Sequence, residues 1–311
     1  MRLPIRLCLA LCLLAAPAGA QERPAGLDET IDNILAVMTF SVLPDTTASS
    51  LSINSPSSDD AGFTLFQLGG GTTLEGDNPP IYLEGFLGIS QYDPDFIFED
   101  SDTAVDARFT SFAATGGLGY DVALTPEWVL RPIFHLALGR VTSQATLLDD
   151  LPGPLRGGGD DGDGSLLGDE ELNAYGVGGA LMLDFTRQRP DYELDGELRY
   201  THIELDSFGG STATPGGTAS ASTLGVWGRI RWPTGVEVFD RPLRYVVDGG
   251  LNHFFGAQAD ALEFDYLARF GGGLEIDTSA RPYYLQRARI VLRYLAGDTI
   301  RGFSLGIGLS F

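Results

Sequence analysis

The chain has 311 residues, and its 42 aspartates and glutamates outnumber its 20 basic residues, all of them arginine, for a formal net charge of −22. Such a charge repels nucleic-acid phosphates, so it disfavours nucleic acid as a partner. A mean hydropathy near zero with 10% aromatic residues fits neither a disordered chain nor a helical membrane protein. It does fit strands that are apolar on one face and polar on the other.

Residues 1–20 have the pattern of a Sec-type signal peptide. Arg2 and Arg6 form a positive start, Leu7 to Ala16 an apolar run, and Ala18 to Ala20 a small-residue cleavage site. The apolar run is shorter than the roughly 20 residues of a spanning helix. Both cysteines, Cys8 and Cys12, lie inside this segment, so we expect a mature chain without disulfides.

Residues 21–46 are predicted to form an N-terminal segment with one short helix. Apolar residues from Leu27 to Met38 recur at helical spacing, and acidic residues occupy the first turn. The pattern fits a helix on the periplasmic side of a membrane and equally a helix that enters a barrel as a partial plug. No later stretch has 18 continuous apolar residues, which argues against further membrane helices.

Residues 47–311 alternate between apolar and polar side chains over long segments, which predicts β-strands. The strands are predicted near 47–55, 62–74, 79–92, 105–122, 127–146, 171–187, 191–208, 219–232, 242–256, 263–277, 284–297 and 301–311. About twelve such strands predict an all-β fold: a transmembrane, antiparallel, up-and-down β-barrel of the bacterial outer membrane, preceded by the short helix.

The lengths of the connections predict the orientation of this barrel. With a periplasmic C-terminus, the long acidic connections Asp93–Ala104, Leu147–Glu170 and Phe208–Thr218 all fall outside. Two connections fit less well, since Pro233–Arg241 is long for an inner turn and the hairpin before Gly302 is short for an outer loop. Aromatic residues near strand ends are predicted to form interface girdles: Tyr120, Trp128, Trp232, Tyr245 and Tyr284.

One face of the strands is expected to line the lumen with charges of both signs. The predicted lumen-lining residues are Glu84, Arg131, His135, Glu193, Asp195, Glu197, Arg199, Arg229, Arg231, Asp265, Arg269, Glu275, Arg287, Arg289 and Arg293. Strand alternation puts Asp121, Asp248 and Glu263 on the same inward face. Such residues form cross-strand ion pairs in a filled interior, or opposed walls that select solutes in a channel. The narrow width of the barrel favours the filled interior.

No catalytic pair is evident along the sequence. Outer-membrane lipid hydrolases resemble one another in a His-x-Ser pair on one strand, and none of His135, His202 and His253 is followed by that serine. We therefore predict no enzymatic activity and no cofactor, although a triad assembled across strands stays open. The acidic loop with Asp160, Asp161 and Asp163 resembles a calcium loop, but Leu166 replaces the required glycine, so a solvated loop is favoured over a metal site.

The segments Leu43–Ile53, Gln67–Gly71 and Tyr82–Gly85 resemble the solitary outer-membrane autotransporter-like barrel family. The resemblance implies a barrel over nearly all of the mature chain. Only about 25 residues separate the predicted signal from the first strands, which disfavours a secreted passenger. In such families the last strand, with Phe303, Leu305, Ile307, Leu309 and Phe311 on one face, resembles the signal read by the barrel-assembly machinery.

The resulting hypothesis is a passenger-less outer-membrane barrel, structural or a narrow solute channel, in contact with outer-membrane lipids and lipopolysaccharide. Two alternatives stay open: a lipid-modifying enzyme with a cross-strand site, and an adhesin or receptor that acts through the external loop Leu147–Glu170.

Overall fold

The computed structural model describes residues 27–43, 50–54, 62–74, 80–92, 106–146, 171–210, 217–256, 258–259, 264–277, 287–298 and 301–310. The predicted signal peptide, the loop with Asp160, Asp161 and Asp163, and Phe311 lie outside these residues.

The described chain contains one α-helix and an antiparallel sheet. The helix α1 spans Leu27–Val42, and no described helix is long and apolar enough to cross a membrane. The strands are β1 (Ser50–Asn54), β2 (Gly62–Thr73), β3 (Ile81–Tyr92), β4 (Asp106–Tyr120), β5 (Val122–Ala123), β6 (Trp128–Thr146), β7 (Glu171–Gln188), β8 (Glu193–Gly210), β9 (Thr218–Glu237), β10 (Pro242–Phe255), β11 (Tyr266–Asp277), β12 (Arg287–Gly297) and β13 (Arg301–Ser310).

The sheet closes on itself. Each strand pairs with its neighbour in the chain, except that β4 pairs with β6, because β5 is only a two-residue strand beside β6. The ring is completed where β1 pairs with β13, with Ser52 opposite Phe303. Twelve strands therefore form an up-and-down antiparallel barrel, and the predicted fold class is confirmed.

The predicted boundary between β9 and the following turn was wrong. Strand β9 continues through Pro233 to Glu237, so the turn before β10 is shorter than the predicted Pro233–Arg241. Phe239 and Asp240 both have positive φ, and Val238 and Arg241 exchange backbone hydrogen bonds. This is the two-residue turn whose twist matches a hairpin, and a sequence search for Asn-Gly or Asp-Gly misses it. Strand β12 begins at Arg287, and Tyr284 lies outside the described residues.

The two rims of the barrel differ in their connections. At one rim β7 joins β8 and β9 joins β10 by tight turns, whereas at the other β3 to β4 and β6 to β7 are separated by 93–105 and 147–170. Because outer-membrane barrels have short periplasmic turns and long external loops, we call these the inner and the outer rim. Strand β13 runs toward the inner rim.

The outward faces of the strands are apolar. Exposed side chains include Leu68, Leu87, Phe112, Leu136, Leu138, Leu181, Leu292 and Ile307. A soluble monomer rarely exposes such a continuous surface, so the outer wall suits a hydrocarbon environment. Aromatic pairs flank it: Trp128–Phe185 and Trp232–Tyr245 near the inner rim, Tyr175–Phe208 and Tyr294–Phe303 near the outer rim.

The outer half of the lumen is filled by α1. The described side chains of the helix and Leu43, from residue 34 to 43, are all buried. They form one apolar cluster with inward residues from strands all around the ring, among them Phe109, Ala137, Ile203, Ala221 and Phe254. The helix is thus packed like a core element of a soluble protein.

The C-terminal end of α1 is fixed at mid-barrel by polar contacts. Ser41 shares hydrogen bonds with Ser90 and Ser111 at 3.0 and 2.9 Å. Thr115 donates to the Val42 carbonyl at 2.6 Å, and Gln67 donates to the Leu43 carbonyl at 2.7 Å. These bonds satisfy carbonyls that the helix end leaves without helical partners.

A substitution at Gly88 tests whether the end of α1 packs against β3 as described. A Cβ at Gly88 would collide with the Ser41 carbonyl, whereas a Cβ at Gly70 meets open space. We expect Gly88→Val to loosen the helix by about 1–3 kcal/mol through overpacking. Amide hydrogen exchange read by mass spectrometry should speed up at 34–43 and stay slow in the strands. Gly70→Val is the control, and equal exchange in both variants would contradict the packing described above.

Candidate functional site in the lumen

The inner half of the lumen holds a layer of charged side chains. Of the predicted lumen-lining residues, those that lie inward on the strands are Glu84, Arg131, His135, Glu193, Asp195, Glu197, Arg199, Arg229, Arg231, Arg269, Glu275, Arg287, Arg289 and Arg293. Asp248 is inward as well, and Glu263 lies outside the described residues.

Asp265 departs from its predicted place. It precedes the first paired residue of β11, Tyr266, and its side chain is exposed. If Asp265 were inward, strand alternation would put its neighbour Phe264 on the outward face with Tyr266. Phe264 is instead buried beside Phe40 and Phe254, with ring centroids 6.3 and 5.7 Å away. Both errors have one cause: strand alternation was extended into residues that precede the ladder, where it does not apply.

Glu84 on β3 is the centre of one buried cluster. Its Oε1 accepts hydrogen bonds from His135 Nε2 and Arg199 Nη2, both at 2.5 Å. Its Oε2 accepts from Arg199 Nη1 and the Tyr82 hydroxyl, both at 3.1 Å. The side chains of Glu84 and His135 are fully buried. A carboxylate in this position is kept charged by its donors, at the cost of removing all of them from water.

The tautomer of His135 follows from this contact. Because the Glu84 carboxylate accepts, Nε2 carries the proton, and Nδ1 has no hydrogen-bond partner among the described residues. The ring lies against Gly117, where a Cβ would stand 2.9 Å from His135 Cδ2. His135 is therefore fixed between a carboxylate and a glycine and serves to hold β6 against β3.

A second cluster lies where Arg131 reaches the inner rim. Arg131 makes a bidentate contact with Asp121 and stacks over the Tyr82 ring at 3.8 Å. Burial raises the pKa of Asp121, but hydrogen bonds from Arg131 and Thr73 outweigh it, so the pKa lies below its usual value. Asp121 is thus anionic at neutral pH and anchors the rim.

The largest cluster joins β8 to β12 through two carboxylates. Glu193 contacts Arg231, Arg244 and Arg287 at 3.2, 2.5 and 2.7 Å. Glu275 lies 3.5 Å from Arg231 and 3.9 Å from Arg289. Each carboxylate is shared among several guanidinium groups, as in a network rather than a set of separate pairs.

Asp248 on β10 holds a fourth cluster. It accepts two hydrogen bonds from Arg293, at 2.8 and 2.7 Å, and lies 3.6 Å from Arg229, which in turn lies over the Trp227 ring at 4.9 Å. A Cβ at Gly306 on β13 would collide with the Arg293 guanidinium. The small inward face of the last strand therefore makes room for an arginine of its neighbour.

The charges are unevenly distributed around the ring. On β9–β12 the described inward charges are seven arginines and three carboxylates: Arg229, Arg231, Arg244, Arg269, Arg287, Arg289, Arg293, Asp248, Glu275 and Asp277. From β3 to β8 they are two arginines and six carboxylates: Arg131, Arg199, Glu84, Asp121, Asp184, Glu193, Asp195 and Glu197. The arginines and carboxylates of the layer are equal in number, although the whole chain carries a net negative charge. The positive charges lie mainly on one side of the lumen and the negative charges on the other.

Several members of the layer were missed from the sequence. Strand alternation alone would have put four further residues on the inward face, and the structure has them there: Tyr82, Asp184, Arg244 and Asp277. The apolar inward residues of the outer half carry no such signal, because apolar residues on both faces of a strand hide the alternation. No group of three or more His, Cys, Asp or Glu side chains within the described residues could hold a metal ion.

The closed ladder, the apolar outer wall and the polar lumen define a transmembrane β-barrel. No model of a protein family matches the sequence, and no curated protein gives a significant match.

Three autotransporter barrels are among the solved structures that are similar to this chain. The β domain of the Bordetella autotransporter BrkA has 15% identity and a TM-score of 0.49, over 84% of this chain and 97% of that one. The translocator domain of NalP from Neisseria meningitidis has 11% identity and a TM-score of 0.46, over 91% and 95%. The transport unit of AIDA-I from Escherichia coli has 13% identity and a TM-score of 0.45, over 94% and 100%.

The buried layer predicts a contrast between two arginines. Arg199 pairs with Glu84 in the lumen, while Arg140 pairs with Glu171 at sites that are 49% and 41% exposed. Arg199→Ala should lower the free energy of unfolding by about 3–5 kcal/mol, because it leaves a buried carboxylate short of its cation. Arg140→Ala should cost less than about 1 kcal/mol. Urea unfolding in detergent micelles, followed by tryptophan fluorescence, measures both, and equal losses would contradict this prediction.

Proposed function

We propose that the chain is a β-barrel of the bacterial outer membrane whose lumen is closed by its own N-terminal segment. In this proposal the barrel is a structural surface protein and not an open pore. The predicted signal peptide and the apolar outer wall support the location.

The burial of α1 is the observation that carries the proposal. A helix that only passed through an open pore would keep water on part of its surface, but every described side chain from residue 34 to 43 is at most 9% exposed. Phe40 packs on Phe254 with ring centroids 5.2 Å apart, and Met38 fills the space over Gly139. Apolar burial on this scale holds the helix in place without any partner.

In this proposal the N-terminus of α1 points toward the cell surface. Its C-terminal end lies at mid-barrel beside Gln67 and Thr115. The helix has 16 residues and a length of about 24 Å, so its other end reaches the outer rim. The boundary between residues 46 and 47 stays a prediction.

The contacts of the barrel with its surroundings are part of the same proposal. Phe303, Leu305 and Ile307 lie exposed on the outward face of β13, where membrane lipids and the barrel-assembly machinery would meet them. The side chain of Leu309 and Phe311 lie outside the described residues. Lipopolysaccharide would contact the same wall near the outer rim.

Conductance in planar bilayers tests the closed lumen. The full mature chain should give no current steps, whereas a variant without residues 27–43 should conduct, because the apolar outer half would then be empty. The compact band of unboiled samples on SDS gels checks that both variants fold. Steady current through the full chain would overturn the proposal.

A cysteine pair sharpens this experiment, since both native cysteines lie within residues 1–20. Ser41→Cys with Ser111→Cys should form a disulfide that joins the helix to β4, because the two hydroxyls are 2.9 Å apart. Ser90→Cys with Ser111→Cys joins two wall strands and is the matched control. If only the control pair cross-links, the helix does not occupy the lumen.

A narrow solute channel is the second candidate, and the polarised charged layer favours it. Opposed arginine and carboxylate walls orient and select charged solutes in a pore. In this reading the helix-deleted variant shows ion selectivity that Arg289→Gln changes, since Arg289 has only a 3.9 Å contact with Glu275. Unchanged selectivity would leave the layer with a structural role alone.

A further inference from the structure

The outward wall of β8 and β9 has a polar patch near the outer rim. His202 and Glu204 on β8 lie opposite Ser222 and Ser220 on β9. The flanking strands are apolar at these levels, with Val177 opposite Glu204 and Phe255 opposite Ser222. Polar side chains that face lipid are costly in a barrel, so this patch needs an explanation that the lumen does not supply.

Three of its side chains are arranged as nucleophile, base and orienting acid. The Ser222 hydroxyl lies 2.7 Å from His202 Nδ1, and Glu204 Oε1 lies 3.6 Å from His202 Nε2. The carboxylate favours the tautomer with a proton on Nε2, which leaves the Nδ1 lone pair to accept the serine proton. His202 is 42% exposed, so a lipid that contacts the outer wall reaches it directly.

An apolar groove begins at the other side of His202. Gly179 on β7 lies opposite His202 and has no side chain there. The groove has a volume of about 760 Å³ and runs toward the inner rim; its lining includes Gly179, Leu181, Tyr200, Phe134, Leu118 and Tyr120. The groove is shallow and open on the outward face, and its apolar walls suit a hydrocarbon chain.

We propose that Ser222, His202 and Glu204 form a hydrolytic site for ester-linked acyl lipids, with one acyl chain in the groove. Ser222 Oγ attacks the ester carbonyl carbon while its proton passes to His202 Nδ1. The bond from the carbonyl to the lipid alcohol breaks, and the alcohol oxygen takes that proton. Water then attacks the acyl-serine with His202 as base, which releases the fatty acid and restores the Ser222 hydroxyl. Glu204 is a positioning residue.

The site is independent of the closed lumen, because its three side chains lie on the outward face of the barrel while the described side chains of α1 are buried inside it. It also explains why the sequence shows no His-x-Ser pair. The nucleophile is on β9 and the base on β8, so only the register that places Ser222 opposite His202 brings them together.

The test uses the full mature chain in detergent micelles with either phosphatidylethanolamine or lipid A as substrate. Wild type should release fatty acid from one of them, which identifies the lipid, and a fluorophosphonate probe should label Ser222. Ser222→Ala should lose the label and at least about 10²-fold in rate. Ser220→Ala, on the same face of the same strand, should keep both.

Glu204→Gln separates positioning from structure, and it should lower kcat while KM stays unchanged. Every variant must keep the compact band on unboiled gels, so that a lost rate reports chemistry. The proposal is overturned if wild type gives no fatty acid from either lipid and no adduct at Ser222. It is equally overturned if Ser222→Ala hydrolyses as fast as wild type.

Discussion

The requirement that every backbone amide in a membrane find a partner within the protein governs this fold. Hydrocarbon offers no hydrogen bonds, so a sheet can cross it only as a closed ring. Here the ring is completed by a short strand, β1, that joins β2 to β13. In a closed ring the strand number and the stagger set the width of the lumen, and the width decides what must fill it.

The lumen is filled in two different ways. Its outer half is apolar and receives a helix, and its inner half is a network of guanidinium and carboxylate groups. Apolar packing is tolerant of small shifts, while buried ions need defined partners. The helix therefore supplies bulk, and the network supplies register between strands far apart in the chain, such as β3 and β8 through Glu84 and Arg199.

Much of this could be predicted from the sequence, because period-two alternation reports which side chains share a face. It placed the strands and most inward charges. It could not show that Glu84 meets both His135 and Arg199, since contacts across a lumen depend on the closed ring and not on spacing. It also missed the pair of Ser222 with His202, which depends on the register between two strands. It left open whether the helix enters the lumen, because an amphipathic pattern does not reveal which apolar surface covers it.

The inward face of β13 has no side chain at Gly306. Arg293 lies across Gly306, and the space it occupies exists only because no side chain is there. A side chain at this position would therefore require Arg293 to shift, even though glycine itself makes no specific contact. A sequence comparison that ranks residues by chemistry would overlook it, but a single added methyl group at Gly306 would displace the cation that neutralises Asp248.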